Sequence, residues 1–480
     1  RGRGRSFGSL AAGGNPIASL CVEIRLKARE KKEAIFVLGT SETKEKAKKA
    51  AKKFTNASEI GKGLRRLRDY WDGYLDNYQA GTPDRDVDLM VNTWNPYQCS
   101  TTFNWSRFAS LYEAGIGRGM GFRDSNQDTL GVAHAIPGRV RTRIKELAAN
   151  QFRNGSSYHK FFPLTKTGEK GGYSDDPLWL VIAVCGYIKE TGDFGFLKEK
   201  APFADGAGDT IYNHLKMALD FVWSERGPHG LPLMGFADWN DCLNLGTGNR
   251  TAETVLVAEI FYFALSGFLR LAEAAGISRA DKSIASYKRI AGEAKSIVNS
   301  VAWDGSWYLR AFDRSKKPVG SSKNKEGRIY LNTQAWAVIS GIADRERAKK
   351  CMDMVAKHLD TEHGIMLMSP AYKRFDPALG AVTTFAPGLK ENGGIFCHSN
   401  PWAMIAEAIL GRGDRAYGYY KKILPPTKNR IADIYMTEGY IYSQFITGRE
   451  NRYFGRARNS WLTGTAAWNF VAVTQYILGV

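Results

Sequence analysis

The stretch TAETVLVAEIFYFALSGFLRLAEAAG, residues 251–276, reads as one long helix in a chain rich in them. Helical segments recur at short intervals from Val87 onward: RVRTRIKELAANQF (139–152), DDPLWLVIAVCGYIKETG (175–192), TIYNHLKMALDFVWS (210–224), SNPWAMIAEAILGRGD (399–414) and NSWLTGTAAWNFVAVTQYILG (459–479). Gly-, Pro- and Asn-rich loops separate them, and strand signals are scarce. Many helices joined by polar, motif-bearing loops suggest an α/α toroid with the loops lining a site at one end. A plain helical solenoid is the competing reading, and no strict repeat period supports it.

Toward the N-terminus the pattern changes. Residues 42–80 read as helical, with the amphipathic stretch LRRLRDYWDGYL (64–75), and PDRD (83–86) marks a boundary. Residues 1–40 hold two short alternating runs, ASLCVEIRL (18–26) and EAIFVLG (33–39), around a charged turn. This reads as a β-hairpin, which is not stable alone, and so as the tail of a β-domain. The opening RGRGRSFGSLAAGGN, without a Met, reads as a start within a longer protein.

Composition narrows the class. A chain of 480 residues with 44% hydrophobic and 12% aromatic residues buries a large core and is no disordered tail. The net charge of +19 suggests an anionic partner: nucleic acid, phosphate or a membrane surface. Part of that charge lies in KEKAKKAAKKF (44–54), which reads as a solvated helix face. With no recognised nucleic-acid motif, no nucleic-acid partner is expected. The apolar run Val255–Ala272 is interrupted by Glu259 and Arg270, so no membrane partner is expected either. The six cysteines form no CxxC pair and no metal-ligand spacing, which points to a reducing compartment and a cytoplasmic protein without a metal.

Four clusters carry candidate chemistry. SRFASLYEAGIGRGMGFRDSNQD (106–128) joins Arg107 and Arg118 to a Gly-rich turn and then to Arg123, Asp124 and Asp128. Arginine forks suit phosphate or sugar hydroxyls, although Arg–Asp pairing that holds a turn explains them equally well. Ser125 followed by Asp128 resembles a capping box at a helix start. GFADWNDCLN (235–244) sets Asp238 and Asp241 beside Trp239. An acid against an indole suits a glycosidic general acid, and an Asx turn or helix cap at Asp238 or Asn240 is the bland alternative. PGLKENGGIFCHSNPW (387–402) offers Lys390, Glu391 and His398 among glycines, where backbone approaches a ligand closely. MTEGYIYSQ (436–444) and NSWLTGT (459–465) add Glu438 and the neutral donors Gln444, Thr463 and Gly464.

Together the clusters resemble the cellobiose and chitobiose phosphorylase family, the inverting phosphorylases of glycoside hydrolase family 94. The motifs NPYQC, SR, GIGRGMGFRDSNQD, DDPLWL, GPHGLPL, ADWNDCLNL, KENGGIFCHSNPW and NSWLTGTAAWNFVAVTQYILG stand in the family's order over residues 15–480. The resemblance implies a mainly α fold. It would be an (α/α)6 barrel at 85–480, preceded by a β-sandwich remnant at 1–41 and a helical linker at 42–84. It implies inverting phosphorolysis of a β-linked disaccharide to an α-sugar 1-phosphate and a free sugar, with inorganic phosphate as co-substrate and no cofactor. Asp241 would be the general acid. Arg118, Asp124, Trp239 and Gln444 would hold the non-reducing sugar, with Lys390 also touching it. Arg107, His398, Thr463 and Gly464 would bind phosphate. Phosphate is itself the nucleophile, so no second carboxylate is needed as a base.

The chain departs from the family in places. Family members carry a large N-terminal β-sandwich that helps form a homodimer, and a small β-domain beyond the barrel. Here the last sandwich strands alone are expected, which leaves dimerisation open. Ala381 and Phe385 stand in GAVTTFAPG (380–388) where cellobiose enzymes place a Glu and a Tyr, and Gly439 replaces a Pro. The acceptor sugar is therefore open. Three rivals remain: an inverting hydrolase using Glu438 or Glu391 as base, a truncated protein that binds carbohydrate without turnover and, third, a nucleic-acid role driven by the +19 charge.

Overall fold

A computed structural model describes residues 20–107, 109–110 and 115–480. The chain divides between Tyr74 and Leu75 into two compact units.

In the first unit, residues 1–19 lie outside the described residues, and with them part of the expected hairpin. From Leu20 to Thr43 the chain turns at Ala28–Arg29, where Glu30 N–H donates to Lys27 O at 3.0 Å, but among the described residues no strands pair there. The turn signal was sound and the pairing was not. Leu20, Val22, Ile24, Leu26, Phe36 and Leu38 are all exposed, so no apolar burial offsets the cost of ordering a lone ladder. Two helices follow, Lys44–Phe54 and Ala57–Leu75. Thr43 caps the first through its side chain, and none of that helix's residues is buried, as its Lys/Ala/Glu pattern demands.

The second unit is mainly helical. Among the described residues six largely buried helices form a closed series: Phe122–Leu130, Asp176–Thr191, Val255–Ala274, Leu331–Ile339, Asn400–Ile409, and Thr465–Val471 with its π-helical continuation Ala472–Ile477. Each packs on the next in this order, and the last packs back on the first. Against them lie Asn95–Trp105, Pro137–Ala148, Ile211–Ser224, Ser283–Val301, Arg345–His358 and Gly413–Ile423. Val255–Ala274 is long and apolar enough to cross a bilayer by composition, Glu259 and Arg270 notwithstanding. It is mostly buried here because its apolar faces meet neighbouring helices, and burial pushes the Glu259 carboxyl well above its ordinary value against the pull of Arg310.

The buried helices meet at four indoles. Trp179, Trp336, Trp402 and Trp468 come from four different helices and pack edge-on: Trp336 lies 5.9 Å from Trp179, 5.4 Å from Trp402 and 6.1 Å from Trp468, centroid to centroid. At one end, loops carry short antiparallel strands. Ser443–Ile446 lies between Ile395–Phe396 and Ala457–Ser460, with Phe445 opposite both Phe396 and Arg458. The expected capping box is absent: the helix starts at Phe122 with Gly121 as its cap residue, so Ser125 and Asp128 lie inside it. Tertiary demand overrides the local signal, because Asp128 takes up Arg107 instead.

Replacing Trp336 by Ala is expected to cost about 3–5 kcal/mol of unfolding free energy in guanidinium titrations. Trp336→Phe should cost clearly less, since the indole N–H has no partner among the described residues. Equal losses would show that the cluster is not the centre of the packing.

Candidate functional site

Two networks of buried ions build the site. In the first, Asn240 N–H donates to Asp238 Oδ1 at 3.0 Å, which is the Asx turn that sequence alone offered as the bland reading. Asp238 is fully buried and paired with Arg310, also fully buried, at 2.5 Å. Arg310 donates as well to Asn240 Oδ1 at 2.8 Å, and Thr254 Oγ1 donates to Asp238 Oδ2 at 2.6 Å. Asp238 is thus structural. Its network clamps the loop that presents Trp239 and Asp241.

The second network runs along helix Phe122–Leu130. Arg123 reaches Asp175 at 3.1 Å and the Asp238 carbonyl at 3.0 Å, and its other amino group pairs with Asp241. Arg107 grips Asp128 with both amino groups, at 2.7 and 3.3 Å, and stands 3.6 Å from Asp124. Burial alone would raise the Asp124 carboxyl, but the guanidiniums of Arg107, Arg118 and Arg123 hold it well below the carboxylate range. Asp128, deeper, is pushed up to about 6 by burial despite Arg107. Glycine at 119 is obligatory for this approach: φ is +83°, and a Cβ there would stand 2.9 Å from the Phe162 ring.

The two networks border one chamber, lined by Arg107, Arg118, Arg123, Asp124, Trp239, Asp241, Glu391, Phe396, His398, Gln444, Thr463 and Gly464. It opens past Arg118, Asp241, Glu391 and Gln444 into a wider cleft of about 1080 Å³, whose wall includes Lys390. The structure therefore brings together Asp241, Arg118, Asp124, Trp239, Gln444, Arg107, His398, Thr463 and Gly464. Lys390 stands apart in the outer cleft, its ammonium 5.7 Å from the Phe385 ring centroid.

Local contacts orient each group. Trp239 is wedged against Phe396, His398 and Trp402 at 5.5, 5.1 and 4.7 Å. Gln444 sits on the central strand and accepts from Asn459 Nδ2 at 3.0 Å. His398 Nε2 lies 3.0 Å from Gln127 Oε1. Burial and then Arg107 push the imidazole down to about 3, so it is neutral. Gly464 leaves room for that ring, since a Cβ at 464 would stand 2.4 Å from His398 Cε1. Thr463 Oγ1 lies 2.9 Å from Thr465 Oγ1.

Sequence reasoning put Arg123 in the first cluster, as an arginine fork or an Arg–Asp pair, and Glu391 in the third cluster and as a rival base, but it gave Gln127 no role. Glu391 accepts from Asn240 Nδ2 at 3.2 Å and Cys242 N–H at 3.3 Å, and burial followed by the Asp241 carboxylate raises it to about 7. Glu438 is not in the chamber lining and accepts from Ser460 Oγ at 2.5 Å. The arrangement offers guanidiniums and neutral donors for an anion, an indole wall, and a partly exposed carboxyl at the mouth.

Comparison with known proteins places the chain. Residues 70–479 match the model of the glycosyl hydrolase 94 superfamily catalytic domain, and residues 2–57 match the glycosyl hydrolase 94 supersandwich domain. The N,N'-diacetylchitobiose phosphorylase of Vibrio proteolyticus is 35% identical over all of this chain and 62% of its own length. The solabiose phosphorylase of Paenibacillus borealis is 34% identical over 99% of this chain and 60% of its own. The chain thus spans under two thirds of the length of these relatives. Among solved structures, a Klebsiella oxytoca rhamnosidase with rhamnose bound superposes with TM-score 0.54 at 13% identity, covering 84% of this chain and 66% of that one, a likeness of fold alone. The chain belongs to the glycosyl hydrolase 94 family.

The Glu391 carboxyl keeps its proton to about pH 7 in the fold, against an ordinary value of 4.5. The stability this contributes is complete below about pH 4.5 and is lost as pH rises through about 7. Glu391→Gln should therefore flatten the fall of the unfolding temperature between about pH 5 and 8. An unchanged slope would place the proton elsewhere.

Proposed function

With that family membership as the premise, we propose that the chain carries the catalytic centre of an inverting phosphorylase acting on a β-linked disaccharide. The observation that carries the reading is the chamber itself: groups suited to phosphate (Arg107, His398, Thr463, Gly464) share one wall system with the carboxyl of Asp241 and the indole of Trp239. In this reading the second unit is an (α/α)6 barrel, which the closed order of six buried helices and the six packed against them supports. The domain limits proposed are 1–41, 42–84 and 85–480.

The chemistry follows from placement. The non-reducing sugar packs on Trp239, with Arg118, Asp124 and Gln444 on its hydroxyls and Lys390 contributing from the cleft. Asp241 gives its proton to the glycosidic oxygen as the bond to the anomeric carbon breaks. A phosphate oxygen bonds to that carbon from the opposite face, so the β-linkage becomes an α-sugar 1-phosphate and the second sugar leaves with Asp241's proton. Arg107 and Thr463 supply the donors that hold the phosphate. Asp124, kept ionised by its three arginines, serves as a hydrogen-bond acceptor for sugar hydroxyls. The reaction needs no metal or organic cofactor. Homodimer formation stays open in this reading, and a cytoplasmic location accompanies it as the expectation drawn from the isolated cysteines.

The hydrolytic alternative is disfavoured by position. A base that activates water must face the acid across the sugar. Glu391 is held by Asn240 and Cys242, the residues that flank Asp241, so it sits on the acid's own side.

Cellobiose and diacetylchitobiose, offered with and without inorganic phosphate, should release an α-sugar 1-phosphate only when phosphate is present, as read by proton NMR. Asp241→Asn should lower kcat by roughly 10²–10⁴. Sugar release without phosphate would sink the reading. Gly464→Ala should raise the phosphate KM by at least about tenfold, through displacement of His398, and leave the disaccharide KM within about twofold.

A further inference from the structure

We infer that Gln127 is a positioning residue for the phosphate: it holds the His398 ring with hydrogen on Nε2, so that Nδ1 meets the docked oxyanion as an acceptor and favours one that carries an O–H. The inference rests on the reading that phosphate docks beside His398.

The hydrogen-bond logic leaves little freedom. Gln127 is fully buried on helix Phe122–Leu130, one turn after Arg123 and Asp124. Its side-chain oxygen receives the Trp468 indole N–H at 2.7 Å. An indole nitrogen can only donate, so the amide atom it touches is the oxygen. Gln127 Nε2 points the other way, to the Arg123 carbonyl at 3.4 Å. His398 Nε2, 3.0 Å from the same amide oxygen, must then carry a hydrogen. In a neutral imidazole the other nitrogen is a bare acceptor.

The surroundings keep the ring neutral. Arg107 faces it from the loop after helix Asn95–Trp105, and Arg123 and Asp124 face it from helix Phe122–Leu130. Trp239 and Trp402 close its sides at 5.1 and 5.5 Å, and neither ionises. Burial and the two arginines outweigh Asp124. The Cε1–Nδ1 edge lies against Gly464, where a Cβ would stand 2.4 Å from Cε1 and 2.7 Å from Nδ1. Both residues line the chamber.

An acceptor at this place has a chemical consequence. Hydrogen phosphate has one hydroxyl and three bare oxygens. The hydroxyl can donate to Nδ1, which turns the bare oxygens toward Arg107, Thr463 and the sugar. Sulfate has no hydroxyl near neutral pH. It can dock only against a repelling lone pair or with uptake of a proton by the ring, so its affinity must fall as pH rises.

The test is calorimetric titration of the full chain with inorganic phosphate and with sulfate, at about pH 6 and about pH 8. Wild-type protein should lose sulfate affinity on the order of tenfold across that range, with phosphate affinity within about threefold. Gln127→Glu keeps an acceptor for Trp468 and His398 but adds a charge that favours the imidazolium, so sulfate should then bind within about threefold of phosphate at both pH values. Gln127→Met removes the acceptor and should weaken phosphate by about tenfold while the disaccharide KM stays within about twofold. Equal affinity and equal pH dependence for the two anions in the wild type would overturn the inference, without reliance on any variant. Binding is read without turnover. Selective phosphate binding with no sugar 1-phosphate formed would therefore sink the proposed activity and leave this inference standing, and turnover without discrimination would do the reverse. A chain that binds neither anion would overturn both.

Discussion

Four indoles packed edge-on at the centre of the buried helices are the contact on which the rest of this unit depends. Trp179, Trp336, Trp402 and Trp468 fill the space where four helices converge, and three of them also reach upward into the site. Trp179 Nε1 donates to Asp175 at 2.8 Å, Asp175 holds Arg123, and Arg123 pairs with Asp241. Trp468 Nε1 donates to Gln127, which holds His398. Trp402 packs on both Trp239 and His398. The candidate acid and the candidate phosphate ligand are thus each within three contacts of the same core. Large aromatic rings suit this double duty, since they pack on all sides, and Trp179 and Trp468 each still hand one hydrogen bond to the layer above.

Charge in the chamber is set by position: Arg107, Arg118 and Arg123 line it with the carboxylates of Asp124 and Asp241, and Glu391 stays uncharged below about pH 7. What distinguishes the groups is depth. Asp124 feels three guanidiniums, Arg107 at 3.6 Å among them, and stays ionised, whereas Glu391 lies among backbone and amide donors and keeps a proton to about pH 7. The Arg310–Asp238 pair, sealed from solvent, has a different role. A buried pair adds little net stability but fixes geometry, because breaking it strands a charge. Here the geometry fixed is that of the loop bearing Trp239 and Asp241.

Much of the site was legible before any coordinates. The glycines around Arg118, the Trp239–Asp241 spacing, the His398 segment and the 436–465 donors each marked a place where backbone comes close and polar groups gather, and nine of the candidate residues from these clusters do meet in one chamber. Lys390 lines the outer cleft instead, and no local pattern says which of two adjoining cavities a long side chain on a loop will face. Ser125 and Asp128 matched a capping pattern that the fold did not use, because a buried Arg107 needed Asp128 more than a helix end did. Gln127 gave no local signal. The two partners of its side-chain oxygen lie 271 and 341 positions away, and no window along the chain contains them.

The sequence by itself determined the helical class, the order of the motif-bearing loops and the family, because apolar periodicity and long ordered motifs are properties of adjacent residues. It also determined which residue types were available for acid, anion and ring contacts. The tertiary structure alone decided which of them act together. Burial made His398 neutral, split the roles of Asp124, Asp128 and Glu391, and turned Asp238 from a candidate acid into a clamp. Proton affinity and tautomer depend on neighbours through space, and neighbours through space are what folding assigns.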